Sequence, residues 1–401
     1  MIYLDDSSTT KLDERVYNAM IPYMLEYYGN ASSTHSFGQK SKFAIDEARY
    51  AIAKYINSSP QEIVFTSTGS ESITLALKGT AEYLSGINNT FEPEHVYLVT
   101  TPMEHNAVIN TISYLSILGY KNKIVDINEF GQAIIIKNNE FPNSLEQILT
   151  DIKQQDKNAH IIVSIQYVNS ETGAIQNIKE VSQISHSFDA IVHTDAMQAS
   201  KLLNISINEL EVDLMTFAAH KIYGPVGAAC LYIKSGSKIS RQIAGGEQEY
   251  KIRAGTQNTP AIVGFGKAIE LLAEERESRV KLITELSENF ISNLKKKISN
   301  ISILAEFNKI PSIVSVVFPQ VNAVEFLVRL DLAGIMASAG SACNSGSIQP
   351  TANLKHMGLN DNQINSVIRF SIGKDIKNKD IDEACKIISE EYKHYIRSRK
   401  N

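Results

Sequence analysis

From Glu62 onward the sequence alternates between short apolar runs and longer amphipathic stretches, and this alternation restricts the fold more than any other feature. Apolar runs such as Ile161-Ile162-Val163 are typical of strands that are buried on both faces of a sheet. Parallel strands need helical crossovers between them. The pattern therefore predicts an α/β fold with a mostly parallel sheet covered by helices. The predicted strands are residues 63–66, 95–100, 161–168, 190–194, 214–218 and 228–233.

The pattern changes near residue 260, where a long helix is predicted over 260–298. Strands near 301–304, 312–318 and 367–372 and helices near 322–332 and 379–396 complete this part, which reads as α+β. We expect a large domain of residues 12–259 and a smaller domain formed by residues 1–11 and 260–401.

Composition excludes several classes of protein. Of the 401 residues, 43% are hydrophobic and 21% are charged, and the formal net charge is −5. These values are typical of a globular protein and disfavour binding to nucleic acid or to a membrane surface. We see no secretory signal and no apolar run long enough to span a bilayer. The three cysteines are widely spaced and suggest neither a disulfide framework nor a metal site, so we expect a cytoplasmic protein.

A lysine and an acid follow two successive predicted strands. Lys221 lies in Ala219-His220-Lys221 and Asp195 lies in His193-Thr194-Asp195. A lysine that can form a Schiff base and an acid that can pair with a pyridinium nitrogen are what a pyridoxal phosphate (PLP) site requires. Neither residue is diagnostic alone, but ligands of open α/β sheets bind outside the carboxyl ends of the strands. The motifs there should face one crevice.

Two further motifs follow strands. Gly69 and Ser70 open a predicted helix after the strand 63–66, which is a geometry that binds phosphate but is also an ordinary helix cap. His105 follows the strand 95–100 in a loop that could equally be a helix cap. The convergence of these motifs with Lys221 and Asp195, rather than any one of them, indicates a cofactor site.

The three cysteines have different surroundings. Cys343 lies in a run of Ser, Gly and Ala, whereas Cys230 falls in a predicted strand and Cys385 in a predicted helix. We expect Cys230 and Cys385 to be small buried hydrophobic residues. For Cys343, a reactive thiol and an incidental loop thiol both remain open.

In this order, the motifs resemble those of group I (NifS/IscS-like) cysteine desulfurases, which belong to the class V aminotransferases with PLP fold type I. The resemblance runs from Tyr3-Leu4-Asp5 to Arg369-Phe370-Ser371-Ile372-Gly373. It implies a seven-stranded sheet, PLP as cofactor, L-cysteine as substrate and a homodimer. It also implies conversion of L-cysteine to L-alanine, with the sulfur passed to a protein acceptor such as a cluster scaffold or a thiolation protein.

The resemblance assigns roles around the cofactor ring. It implies that Lys221 binds PLP covalently and that His105 stacks on the ring. Asp195 would pair with the pyridinium nitrogen. Gln198 and the residue at position 170 would contact the phenolic oxygen. The family usually has Asn where this chain has Ser170, whose shorter side chain implies that this contact is lost or bridged by water.

Other roles lie farther from the ring. Gly69, Ser70 and His220 match positions that hold the phosphate, and Thr256 matches a residue that reaches the phosphate of the partner subunit. Asn30 and Arg369 match positions that hold the substrate carboxylate. Cys343 matches the cysteine that accepts sulfur.

Departures from the family pattern leave alternatives open. Ala218 stands where the family usually has Ser, Asn30-Ala31 replaces Asn-Pro, and Glu247 replaces a common glycine. A selenocysteine lyase and another fold-type-I aminotransferase are alternative enzymes, and the aminotransferase would not need Cys343. The substitutions at Ser170 and Ala218 favour a third alternative, a non-catalytic scaffold.

Overall fold

The computed structural model describes residues 1–86, 90–136, 140–339 and 352–399, which form twelve strands and eleven α-helices. The strands are β1 (Ile2–Tyr3), β2 (Ile63–Thr66), β3 (Val96–Thr100), β4 (Lys121–Ile124), β5 (His160–Ser164), β6 (Ile191–Asp195), β7 (Leu214–Ala218), β8 (Ala229–Ile233), β9 (Ser302–Ile303), β10 (Ile313–Val317), β11 (Ile335–Met336) and β12 (Val367–Ser371). The helices are α1 (Glu14–Leu25), α2 (Ser36–Ile56), α3 (Gly69–Ser85), α4 (Asn106–Ile117), α5 (Leu145–Gln155), α6 (Ile178–His186), α7 (Ile207–Leu210), α8 (Thr259–Lys297), α9 (Ala323–Leu332), α10 (Asp361–Ile364) and α11 (Asn378–Ser398).

Seven strands form the main sheet in the order β2-β8-β7-β6-β5-β3-β4. Strand β8 runs antiparallel to β2 and β7, and the other neighbours are parallel. The predicted α/β fold with a mostly parallel seven-stranded sheet is confirmed. The carboxyl ends of β2, β3, β5, β6 and β7 meet at one edge, which is where a ligand site is expected.

Helices cover both faces of this sheet. Along β3, Val96 and Leu98 pack with α3 and α4 in one apolar cluster. Their neighbours Tyr97 and Val99 belong to the larger cluster on the opposite face, which includes residues of α2, α5, α6 and α8. Because successive strand residues point to opposite faces, this alternation explains why the strands read as continuous apolar runs.

The smaller part contains an antiparallel sheet in the order β12-β10-β9 and a parallel pair of β1 with β11. Helix α8 contributes to both cores: Phe265 packs with the main sheet, whereas Phe290 packs with β10 and β12. The predicted domain boundary near residue 260 remains a prediction, because one continuous helix crosses from one core to the other. Among the described residues, no helix is long and apolar enough to cross a membrane.

The structure differs from the predicted elements in three places. The strand predicted over 161–168 ends at Ser164, because the backbone N–H of Gln166 turns to the carboxylate of Glu104 at 2.9 Å. Strand β4 was not predicted because all four of its residues are exposed at a sheet edge. Helix α5 was also missed.

Residues 1–11 are anchored in the smaller part and lie across the carboxyl edge of the main sheet. The backbone of Leu4 bonds to both Met336 and Ser371, at 2.9 and 2.7 Å. The backbone N–H of Ser7 donates to Ser371 Oγ over 2.8 Å. These contacts bring residues 5–8 to the ends of β6 and β7.

Candidate active site

One cavity at the carboxyl edge of the main sheet gathers six of the residues singled out in the sequence. They are His105, Ser170, Asp195, Gln198, Lys221 and Arg369. Asp195 and Gln198 belong to or follow β6, His105, Ser170 and Lys221 follow three other strands of the main sheet, and Arg369 comes from β12 of the smaller part. The cavity therefore forms where the carboxyl edge of the main sheet meets the smaller part.

Lys221 ends a short 3-10 turn that directly follows β7. Its amine donates to the main-chain carbonyls of Ser7 and Ser8, at 2.6 and 2.8 Å. The lysine is therefore held between the end of β7 and the N-terminal segment, with its amine in the cavity.

Asp195 is the last residue of β6, and only 8% of its surface is exposed. Its Oδ1 accepts a hydrogen bond from the backbone N–H of Met197 over 2.9 Å. Burial raises the pKa of this carboxyl, and the nearby His105, the Met197 hydrogen bond and Lys221 oppose that rise. A positively charged ligand atom beside Asp195 would stabilise the carboxylate further.

His105 is the N-cap of α4, and its Nδ1 accepts from the backbone N–H of Ala107 over 3.1 Å. The preceding Glu104 is buried and accepts from Thr101 Oγ1 over 2.7 Å and from the Gln166 backbone over 2.9 Å. Burial raises the pKa of Glu104 to about 8, against these hydrogen bonds. The backbone bond to Ala107 therefore orients the imidazole at the N-terminus of α4, and the buried network holds the preceding residue, Glu104.

Gln198 follows β6 and reaches across the cavity to the N-terminal segment. Its Nε2 donates to the carbonyl of Ser7 over 2.9 Å. Its Oε1 is buried and has no hydrogen-bond partner within the part of the chain that the structure describes. A buried polar atom without a partner is costly, and ligand binding is one way to satisfy it.

Arg369 lies in β12 and is 3% exposed. One guanidinium nitrogen, Nη2, donates to Asp5 Oδ1 and to Ser8 Oγ, both at 2.8 Å. The other, Nη1, donates to the carbonyl of Ser170 at 3.0 Å. Ser170 therefore contacts Arg369 through its main-chain carbonyl.

The predicted phosphate residues lie beside this cavity rather than in its lining. Gly69 is the first residue of α3, Thr68 is the N-cap, and Ser70 is exposed in the first turn. A Cβ on Gly69 would meet Met197 Cε at 2.0 Å, and Met197 itself lines the cavity. The start of α3 therefore packs against Met197, a residue of the cavity lining.

His220 contacts the N-terminal segment through Thr9 Oγ1, 3.2 Å from its Nδ1. Burial lowers the pKa of His220 to about 4, and the neighbouring cations Lys221 and Lys201 contribute to the lowering. At neutral pH the imidazole is uncharged, with one ring nitrogen as donor and the other as acceptor.

Asn30 and Thr256, two of the predicted site residues, do not line the cavity. Asn30 is exposed, and its side chain accepts from the backbone N–H of Ser32 over 2.9 Å. Thr256 is exposed in the loop before α8. Cys343 lies outside the described residues.

The other two cysteines, Cys230 in β8 and Cys385 in α11, are fully buried, as predicted. Burial raises the pKa of both thiols, that of Cys385 to about 12. Neither is therefore a nucleophile at neutral pH.

No sequence motif indicated a role for the N-terminal segment that completes the cavity. Ser7 and Ser8 line it, and Lys201 fixes the segment by donating to Asp6. The one signal was the polar run from Asp5 to Thr10 after a short strand. Its partners lie about two hundred or more residues away, so no local pattern pointed to them.

A doubly covered α/β sheet whose carboxyl edge holds a lysine, a buried acid and a buried arginine in one cavity defines an α/β protein with a polar ligand site. The sequence profile of the family described as aminotransferase class-V matches residues 2–383. The chain therefore belongs to the class-V aminotransferase family.

Similar chains carry more specific names. A protein of Dictyoglomus turgidum named cysteine desulfurase IscS is 36% identical over 388 residues, covering 96% of this chain and 93% of its own. A solved structure described as a NifS-like protein is 33% identical, with a TM-score of 0.85 and coverage of 97% of this chain and 98% of its own. A structure described as SspA in complex with cysteine is 28% identical, with a TM-score of 0.77 and coverage of 93% and 99%. The predicted resemblance to cysteine desulfurases is confirmed.

Proposed function

We propose that this protein is a PLP-dependent cysteine desulfurase. The observation that carries the proposal is that Lys221 and Asp195, at the ends of the adjacent strands β7 and β6, share one cavity with Arg369. Relatives of nearly equal length are named cysteine desulfurases. A lysine and an acid that suit PLP and an arginine that suits a carboxylate are the groups that a PLP enzyme acting on L-cysteine needs.

The residues present fit PLP. Asp195 offers a buried carboxylate for a pyridinium nitrogen, and Lys221 offers an amine for the aldehyde. The buried Gln198 amide lacks a partner for its Oε1 among the described residues, and the start of α3 at Gly69 provides helix N–H groups for a phosphate. When bound, PLP would act as an electron sink for the bonds of the substrate Cα.

Residues of the chain would bind the substrate, transfer the proton and contact the cofactor. Arg369 offers a planar fork for the α-carboxylate of L-cysteine. Lys221 would move a proton at the substrate Cα, since its amine already lies in the cavity. His105 would pack on the cofactor ring, and neutral His220 would donate a hydrogen bond at the phosphate.

Cys343 would be the residue that accepts the sulfur of L-cysteine. Its thiolate would attack the sulfur of L-cysteine, so that the substrate C–S bond breaks, an S–S bond forms and the carbon takes a proton. The products balance as L-alanine and a persulfide on Cys343. We propose that this persulfide passes its outer sulfur to a protein acceptor, such as a cluster scaffold or a thiolation protein.

A single-turnover reaction with L-cysteine tests the proposal. The wild type, loaded with PLP, should release alanine and carry a persulfide that mass spectrometry places on Cys343, whereas Cys343→Ala should carry none. A PLP-loaded wild type that yields neither product would favour another aminotransferase-type reaction. Preference for selenocysteine over cysteine would indicate a lyase, and failure to bind PLP would indicate a scaffold.

We also propose a homodimer in which Thr256 serves the partner's site. Thr256 is exposed and does not line the cavity of its own chain. Co-expression of Lys221→Ala with Thr256→Asp tests this arrangement, because a mixed dimer would contain one site with both native residues. Activity should return in the mixed dimer and be absent from each parent. No recovery would place Thr256 in its own subunit's site or outside both.

A further inference from the structure

The hydroxyl of Ser8 lies beside the guanidinium assigned to the substrate carboxylate. Its Oγ accepts a hydrogen bond from Arg369 Nη2 over 2.8 Å and donates to Asp5 Oδ1 over 2.9 Å. The main-chain carbonyl of Ser8 accepts from the amine of Lys221 over 2.8 Å. Ser8 therefore contacts both the lysine and the arginine of the proposed site.

The position of Ser8 is fixed by its neighbours before any ligand arrives. The preceding Ser7 is held through its backbone N–H by Ser371 and through its carbonyl by Gln198, at 2.8 and 2.9 Å. One residue earlier, Asp6 forms a buried ion pair with Lys201 at 2.9 Å. A group that is held in place loses little entropy when it binds a ligand.

The contacts of Arg369 show what a substrate carboxylate needs there. The carbonyl of Ser170 and the carboxylate of Asp5 already accept hydrogen bonds from the guanidinium. A carbonyl and a carboxylate accept hydrogen bonds but do not donate them. A hydroxyl can both accept and donate, and its hydrogen can rotate from Asp5 to a new acceptor. Of these three neighbours, Ser8 is the one able to donate to an incoming carboxylate.

We propose that Ser8 is a further substrate-binding residue, whose hydroxyl donates to the α-carboxylate of the amino-acid substrate that Arg369 holds. This role rests on the proposed function, because it takes the substrate to be an amino acid bound at Arg369. It predicts that Ser8 discriminates between L-cysteine and the same molecule without its carboxylate.

The test compares L-cysteine with cysteamine, which lacks the carboxylate, as ligands of the PLP-loaded full chain. Cys343→Ala is the background, so that binding is read from the visible absorption of the cofactor without turnover. Ser8→Ala should raise the Kd for L-cysteine about tenfold to a hundredfold, the loss of one hydrogen bond to a charged group, and leave the Kd for cysteamine within about twofold. Ser8→Thr, which keeps the hydroxyl, should restore L-cysteine binding.

The matched control is Ser187→Ala, which removes an exposed hydroxyl bonded to the carbonyl of Ile184 at 2.7 Å, away from the cavity. An equal loss of affinity for L-cysteine and cysteamine in Ser8→Ala would overturn the proposal, since it would show a structural role at Lys221. Unchanged binding of both ligands would also overturn it. A background protein whose absorption does not respond to L-cysteine at all would instead overturn the proposed function, and the role of Ser8 with it.

Discussion

The amine of Lys201 lies 2.9 Å from Oδ2 of Asp6, and the two side chains are 4% and 6% exposed. The same amine donates to the main-chain carbonyl of Asp6 at 2.6 Å. Tyr223 donates to the other carboxylate oxygen at 3.1 Å. This pair fixes the segment whose next two carbonyls hold Lys221, so it positions the active site without contacting the cavity.

Breaking this pair from one side should be costly. Lys201→Met leaves the Asp6 carboxylate buried without its cation, and we expect the free energy of unfolding to fall by about 3 to 5 kcal/mol. The double variant Lys201→Met with Asp6→Asn should lose less than the sum of the two single changes, because no charge then remains unpaired. Urea unfolding of the four proteins gives the comparison. Strict additivity would contradict the pairing.

Loosening residues 5–8 should also displace Lys221, because the carbonyls of Ser7 and Ser8 hold its amine. In Lys201→Met, amide hydrogen exchange at residues 5–8 should be faster, and kcat for L-cysteine should fall more than KM rises, because the carbonyls of Ser7 and Ser8 hold Lys221 whereas Arg369 stays anchored in β12. Lys201→Arg, which keeps a cation, should exchange and turn over more like the wild type. A change in KM alone would point to the substrate carboxylate instead.

The buried Glu104 predicts a pH dependence of stability. Its folded pKa of about 8 lies above the ordinary value of 4.5, so between these pH values the folded state binds a proton that the unfolded state lacks. Stability therefore falls as pH rises through this window, by at most about 1.4 kcal/mol per pH unit, and levels off above it. Glu104→Gln keeps an acceptor for Thr101 or Gln166 and has no proton to lose.

The measurement is urea unfolding of wild type and Glu104→Gln between pH 5 and pH 9. The stability of the variant relative to wild type should increase across that range. A constant difference would mean that Glu104 remains ionised in the folded protein.

Substituting Gly69 should disturb the cofactor more than the fold. An alanine Cβ would lie 2.0 Å from Cε and 2.6 Å from Sδ of Met197, so the methionine must move, and Met197 lines the cavity. Alanine is otherwise favoured over glycine in a helix by roughly 1 kcal/mol. We expect Gly69→Ala to weaken PLP binding about tenfold, a loss of about 1.4 kcal/mol, with little loss of stability.

Adding Met197→Ala should recover much of the PLP affinity, since the obstructing atoms are removed. Titration of cofactor-free protein with PLP, followed by absorption, measures both variants. If the double variant bound PLP no better than Gly69→Ala, the contact with Met197 would not be the cause.

A substitution at Ala218 should strengthen PLP binding rather than weaken it. It ends β7, and its Cβ lies 4.0 Å from where a Cβ on Gly69 would be, so a hydroxyl there would be close to the start of α3. We expect Ala218→Ser to tighten PLP binding by about tenfold to a hundredfold through one added hydrogen bond to the charged phosphate. Ala218→Val is the matched control, because it adds volume without a donor. Equal effects of the two would rule out the hydrogen bond.

Sequence pattern predicted the main sheet because buried parallel strands leave continuous apolar runs, as Ile161-Ile162-Val163 does. Strand β4 left no such signal, since Lys121 to Ile124 pair at an exposed edge. Helix α5 did leave one in Leu145, Ile148, Leu149 and Ile152, which are spaced at three or four residues and are all buried.

For the site, residues that follow strands were predictable because parallel strands end together, which brought Lys221 and Asp195 into one cavity. Ser8 and Lys201 were not, because what places them is contact with residues far along the chain. Ser8 meets Arg369 across 361 positions and Lys201 meets Asp6 across 195. Such pairings depend on how the smaller part folds back over the sheet. The periodicity of apolar residues along the chain does not indicate which distant segments come into contact.

The anchoring of Ser7 on Ser371 has a consequence for how the protein is made. The two residues are 364 positions apart, and ribosomes add roughly 5 to 20 residues per second, so Ser7 waits roughly 20 to 70 seconds for Ser371 to be added. The strands of the main sheet emerge well before β12 does. The nascent chain therefore holds Lys221 and Asp195 in an unfinished crevice until the final stretch of synthesis, and a product truncated before Arg369 would carry the sheet without a closed site.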